Sequence, residues 1–161
     1  MDNRAKIAGF ITEVDRMCPA GFALGLHIDY TTPRFMFQTY PKKWVETYNA
    51  RGLLMHDPVV QWGFEHTGFI RWRELVDDDP KGVMGQAKRY GMSHGVTIST
   101  DVGKSRSVGG FARSDRDYLD VEIDELHDLV MRLHHETLAL KELSDSDVIA
   151  LKMLSSRLTR S

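Results

Sequence analysis

Cysteine is nearly missing from this chain: Cys18 is the only one in 161 residues. A single thiol forms no internal disulfide and no cysteine-rich metal site, which fits a reducing cytoplasm. Long apolar runs are missing too. The opening MDNRAKIAGFITEVDRM has no continuous apolar segment of the signal-peptide kind, and no later run approaches the ~18 to 20 apolar residues of a membrane span. Nor is there an excess of one charge. A formal net charge of −2 gives no global attraction to nucleic acid or to an anionic membrane surface.

Catalytic signatures are equally scarce. The seven histidines include no HExxH or His-x3-His arrangement, and His134 and His135, being adjacent, diverge on a helix. The glycine-rich GKSRSVGG lacks the Lys-Ser/Thr ending of a phosphate loop, and Cys18 carries no nucleophile signature. The acidic runs SDRD and DDD read as solvated turns and helix starts. The expectation is a protein that is not an enzyme and holds no cofactor or metal.

What is present begins with a core. At 42% hydrophobic and 27% charged residues, the chain reads as a globular domain. Ile7, Phe10, Ile11 and Val14 recur at helical spacing over residues 3–17, before Pro19 and Gly21 interrupt them. FALGLHIDY over 22–30 alternates like a strand, and FMFQT, beyond the Thr32-Pro33 break, reads as its antiparallel neighbour. A helix is expected over 41–50 with Gly52 closing it, another from Pro58, then a short strand at FIRW and a helix over 81–90. GVTIST and SVGGFAR, separated by the turn-rich DVGKSR, are expected to form a hairpin. Leu119, Ile123, Leu126, Val130, Leu133, Thr137 and Leu140 place one apolar stripe along a last long helix, wide enough to leave a strip for a second copy. About five strands with helices at both ends imply an α+β fold, an antiparallel sheet between helical layers. LSDSDV marks a boundary, with Ser144 as helix N-cap, giving segments 1–142 and 143–161.

The most informative stretch is YPKKWVETYNARGLLMHDPVV, residues 40–60. Tyr40, Trp44 and Tyr48 lie at i, i+4 and i+8, one aromatic stripe on a helix. Nine residues on, Asp57 sits among Leu53, Leu54, Met55, Val59 and Val60. A carboxylate in apolar surroundings needs N–H or O–H partners, and buried Trp and Tyr tips need partners of their own. Such a stripe is more often a core face than a binding site. Polar tips converging with one carboxylate describe a pocket for a mostly apolar ligand with a small polar head.

Tyr40-Pro41-x-x-Trp44-x-x-x-Tyr48, then Asp57-Pro58, Trp72 and GVTI at Gly95 to Ile98, resembles the autoinducer-binding domain of LuxR-type quorum-sensing regulators over residues 5–140. The resemblance implies an α-β-α sandwich around a five-stranded antiparallel sheet and an N-acyl-homoserine lactone as ligand. It implies that the Trp44 indole donates to the lactone carbonyl, that Asp57 accepts the ligand amide N–H, and that Tyr40 donates to the acyl carbonyl. Tyr48 and Trp72 would wall the site. Ala23, Gly25, His27, Met36, Val60 and Gly110 would line the acyl tunnel, with Ala112 where many members carry a hydroxyl. His27 has two readings, a reader of an acyl substituent or an internally satisfied strand histidine.

LSDSDVIALKMLSSRLT resembles the opening of the helix-turn-helix domain that follows in this family, and the sequence stops before a recognition helix. The leading expectation is therefore a cytoplasmic sensor domain that binds a small acyl signal, pairs as a homodimer and reaches DNA only through a C-terminal domain missing from this chain, with no membrane role. The alternative is a dimerising antagonist that pairs with full-length relatives.

Overall fold

The computed structural model describes residues 3–140 and 143–161. Helix α1 (Asn3–Arg16) buries Ile7, Ile11 and Val14, the apolar face its spacing predicts. Strands β1 (Phe22–Asp29), β2 (Thr32–Gln38), β3 (Gly68–Arg71), β4 (His94–Thr100) and β5 (Arg106–Arg113) make one five-stranded sheet in the order β2-β1-β5-β4-β3. All of its pairings are antiparallel. Leu24, Leu26, Val96, Ile98 and Phe111 pack with α1 and with α5 (Asp120–Leu138) in a first core. A second cluster, holding Tyr40, Trp44, Trp72, Met84, Met92 and Ala112, involves α2 (Lys42–Ala50) and α4 (Val83–Lys88). Helix α3 (Pro58–Glu65) packs on β4 and β5. The fold is α+β.

Local chemistry explains where the elements differ from expectation. Pro33 does not interrupt β2 but lies within it, paired with Ile28. β2 is an edge strand, where a residue without an N–H is tolerated. The helix expected over 81–90 is confined to Val83–Lys88. It starts after Gly82 in the left-handed region (φ 65), with the Asp79 carboxylate accepting from Val83 N and Met84 N at 2.8 and 2.9 Å. Trp72 leaves the strand and opens a single 3-10 turn.

The middle of the α5 stripe is taken up inside the chain. Ile123, Leu126, Val130, Leu133 and Thr137 are buried, whereas Leu119 at the start of the stripe is 54% exposed and Leu140 is half-buried. The boundary expected after residue 142 lies outside the described residues. Beyond it, Ser144 caps α6 (Asp145–Leu158) by accepting from Asp147 N at 3.2 Å. α6 lies against α1 and β2, with Leu151 buried and Leu143, Leu154 and Leu158 packed on the first core.

Candidate functional site

A cavity of about 180 Å³ lies between the sheet and the α2–α3–α4 side. Its polar end is built on α2. Trp44 is 3% exposed and meets Tyr48 edge-on (centroids 5.6 Å, 65°) and Tyr90 at 5.5 Å. The i, i+4 spacing read from the sequence brings Trp44 and Tyr48 onto one face of α2, Tyr40 lies ahead of the helix before Pro41, and Gly52 (φ 60) turns the chain so that Asp57 returns toward that face.

Asp57 has the partners its surroundings require. Oδ2 accepts from the Tyr48 hydroxyl at 2.7 Å, and Oδ1 accepts from Val59 N at 3.0 Å, capping α3. Burial pushes the carboxyl up to about 6, against the stabilising pull of Tyr48 and of the Val59 and Val60 N–H groups. Burial and the neighbouring Asp57 raise the Tyr48 phenol as well, so Tyr48 remains a donor.

The other aromatic tips divide. Tyr40 donates to Gly110 O at 2.9 Å, so the proton that the resemblance assigns to an acyl carbonyl is engaged within the protein. Trp72 donates from Nε1 to Thr97 Oγ1 at 3.0 Å. The Trp44 indole N–H has no acceptor among the described residues, and no buried side-chain polar atom there lacks a partner. The Trp44 N–H therefore opens into the cavity rather than into the core.

Tyr40, Trp44, Tyr48, Asp57, Trp72, Val60, Met36 and Gly25 all line this one cavity, as do Ala23 and Gly110. Met36 and Leu54, both lining residues, are 50% and 40% exposed, so the cavity approaches the surface between β2 and the turn after α2. Two expected residues do not line it. Ala112 is fully buried in the same cluster, beyond the cavity wall.

His27 is directed away from the cavity. Strict alternation from Ala23 and Gly25 would carry it to the cavity face, but the β1–β5 register shifts between Gly25 and Ile28. This bulge places His27, at φ 56, against α5 and brings Ile28 to the cavity in its stead. There Nδ1 pairs with Ser105 Oγ at 2.7 Å and Nε2 with Thr137 Oγ1 at 2.8 Å. The His27 ring lies 4.6 Å from that of His134, which pairs with Ser107 Oγ at 2.7 Å. Burial lowers His27 to about 4 and holds His134 below its ordinary value as well. A depressed histidine pKa means the unfolded chain takes up the proton first, so this seam stabilises the fold above pH ~6.5 and loses that contribution as pH falls toward 4. His27→Ala is expected to cost about 2 kcal/mol in urea unfolding at pH 7 and to leave ligand affinity unchanged. An affinity loss without a stability loss would return His27 to the site.

The strand pattern missed Ile28 because a bulge leaves no mark in alternation. It also missed the α4 wall of Val83, Met84 and Ala87, whose i, i+1, i+4 spacing was legible as an apolar face but not as part of a cavity.

Residues 20–139 match the autoinducer binding domain family. The chain is 28% identical over 134 residues to the regulatory protein SdiA of Escherichia coli K12, covering 81% of this chain and 55% of SdiA. It is 30% identical over 88 residues to the transcriptional activator LuxR of Aliivibrio fischeri, covering 51% of this chain and 35% of LuxR. The chain thus spans about half or less of the length of these relatives. The solved structure of SdiA in complex with octanoyl-rac-glycerol superposes with a TM-score of 0.66 at 18% identity, over 98% of this chain and 72% of that one. The LuxR family factor CepR2 of Burkholderia cenocepacia gives 0.56 at 16% identity, over 86% of this chain and 95% of that one. These likenesses identify a signal-binding domain rather than a member of an enzyme family, and the chain belongs to the autoinducer-binding domain family of LuxR-type regulators.

Proposed function

We propose that the chain binds an N-acyl-homoserine lactone, or a related acyl signal, as the sensor domain of a quorum-sensing transcriptional regulator. One observation carries the reading: an apolar cavity whose polar end offers the Trp44 N–H, with no protein acceptor among the described residues, beside the Asp57 carboxylate. A neutral head-group with a carbonyl and an amide N–H complements that pair. Trp44 donates to the lactone carbonyl and Asp57 accepts the amide N–H. Tyr48 holds Asp57 in place. The acyl chain runs past Gly25 and Met36 toward Ile28, each methylene contributing about 0.8 kcal/mol when buried. SdiA was solved with an acylglycerol, which supports extending the ligand class to acyl chains with other small polar heads.

Recognition of DNA is assigned to the helix-turn-helix region whose opening residues 143–161 resemble. Among the described residues no helix is long and apolar enough to cross a membrane, and a cytoplasmic location is part of the proposal. Thermal unfolding with a panel of acyl-homoserine lactones and octanoylglycerol tests it. Ligand at a hundredfold excess over Kd stabilises by about 2.7 kcal/mol, a rise of about 5 °C or more for a domain of this size. A melting curve unmoved by every member of the panel overturns the reading.

A further inference from the structure

We infer that Arg160 is a positioning residue for the polar end of the pocket, so that docking of α6 and occupation of the cavity are coupled; the coupling to ligand rests on the binding function proposed above. Helix α2 starts poorly on its own. Its N-cap is Pro41, which makes no side-chain cap hydrogen bond, and the first N–H groups of a helix have no intrahelical acceptor. The backbone of Arg160 supplies what is missing. Lys42 N donates to Arg160 O at 3.1 Å, and Arg160 N donates to Thr39 O at 3.0 Å. Residue 160 thus bridges the two ends of the segment 39–42, which contains Tyr40 and leads within one turn to Trp44.

The Arg160 side chain locks this bridge to the body of the domain. Its guanidinium donates to Asp15 Oδ1 at 2.6 Å, to Cys18 O at 2.6 Å and to Pro19 O at 3.2 Å. Asp15 Oδ1 also accepts from Thr39 Oγ1 at 2.9 Å, and Thr39 Oγ1 accepts from Phe22 N at 3.1 Å. Thr39 is fully buried and Asp15 is 8% exposed. One arginine therefore neutralises a nearly buried carboxylate and holds the strand end from which Tyr40 and α2 depart. The anchors of α6 on the first core, Leu151, Leu154 and Leu158, bring residue 160 to that point. Undocking α6 removes the bridge, and by reciprocity a ligand that favours the ordered α2 geometry favours docked α6.

The test compares the full chain with R160A, R160K and the control M153A, an exposed α6 position (63%), by amide hydrogen exchange and lactone titration. R160A is expected to raise exchange at Lys42 and through α2 and to weaken lactone binding about fivefold or more, the lower end of ordinary coupling. R160K, which keeps the charge beside Asp15 but not the fan of carbonyl contacts, falls between R160A and wild type and serves where R160A fails to fold. M153A changes neither readout. Lactone added to wild type raises protection of α6 amides. Unchanged exchange at Lys42 and α2 in both Arg160 variants overturns the positioning role, and raised exchange with unchanged affinity overturns the coupling. A wild-type chain that binds no lactone fails the proposed function instead, and the exchange comparison still decides the role of Arg160.

Discussion

Asp57→Asn is expected to weaken binding of an acyl-homoserine lactone about tenfold to a hundredfold while making the empty protein more stable at neutral pH. The two effects have opposite signs because the same carboxylate serves the ligand and burdens the fold. A hydrogen bond to a charged acceptor contributes about 1.5 to 3 kcal/mol, the basis of the affinity loss. Burial raises the Asp57 carboxyl to about 6 despite the donors Tyr48 and Val59. A folded pKa raised above the unfolded value means the native state holds the proton more tightly, so stability falls as pH rises from about 4 through 6. At pH 7 that burden is on the order of 3 kcal/mol, and asparagine relieves it at the loss of about 1 kcal/mol in hydrogen bonding. The net gain, about 1 to 2 kcal/mol in urea unfolding at pH 7, should vanish by pH 4, where wild type is itself protonated. A variant less stable than wild type at pH 7 would refute the account.

The same linkage sets a pH dependence for binding. A ligand N–H that donates to Asp57 favours the carboxylate, so it pulls the bound-state pKa below about 6 and releases a proton between that value and the new one. Affinity should therefore be level above pH 7 and decline as pH falls below 6. Titration calorimetry in two buffers of different ionisation heat measures the proton directly. Uptake rather than release at pH 6 would show that the ligand prefers a protonated Asp57, as a head-group acceptor would.

Much of this was legible before the structure because it is local. The Trp44–Tyr48 pair follows from helical period, although Tyr40 lies ahead of α2 rather than on it, and the return of Asp57 follows from Gly52 and Pro58 breaking the chain between α2 and α3. The demand that Asp57 find a donor was a statement about desolvation, and Tyr48 meets it. What escaped the sequence depends on register or on long-range contact. The bulge after Gly25 exchanges His27 for Ile28 at the cavity, and nothing in FALGLHIDY distinguishes a regular strand from a bulged one. Pro33 looked like a break because its tolerance in β2 depends on which strand lies at the edge. The α5 stripe was read correctly as apolar, but how much of it is covered within the chain is decided by how α1 and the sheet pack on it. The Arg160 bridge joins residues 15, 39, 42 and 160, a set no local pattern connects.

Gly95→Ala is expected to destabilise the protein by about 3 kcal/mol, near the upper end for overpacking a core. The Trp72 indole packs against the backbone of β4 because Gly95 leaves room for it. A Cβ at Gly95 would overlap the indole Cδ2 and Cε3 of Trp72, whereas one at Gly110 would meet Tyr40 Oη at 2.8 Å and only touch Trp72 Cζ2 at 3.4 Å. The Gly95 clash falls on the body of a ring, not on the end of a flexible side chain. The ring has little freedom to retreat, since Nε1 is bonded to Thr97 Oγ1 and Thr97 is fully buried on the same strand as Gly95. Moving the indole would strand that hydroxyl and fill the cavity it walls, so ligand affinity should fall with stability. A double-mutant cycle separates this mechanism from a general intolerance of β4. Trp72→Leu alone costs stability by opening a cavity and leaving Thr97 unpaired, but in the Gly95→Ala background it also relieves the clash. The two substitutions together should therefore be less damaging than their sum by about 1 kcal/mol or more in equilibrium urea unfolding. Strict additivity would mean that Gly95 and Trp72 act independently, and that the close approach of ring and backbone is not what reserves this position for glycine.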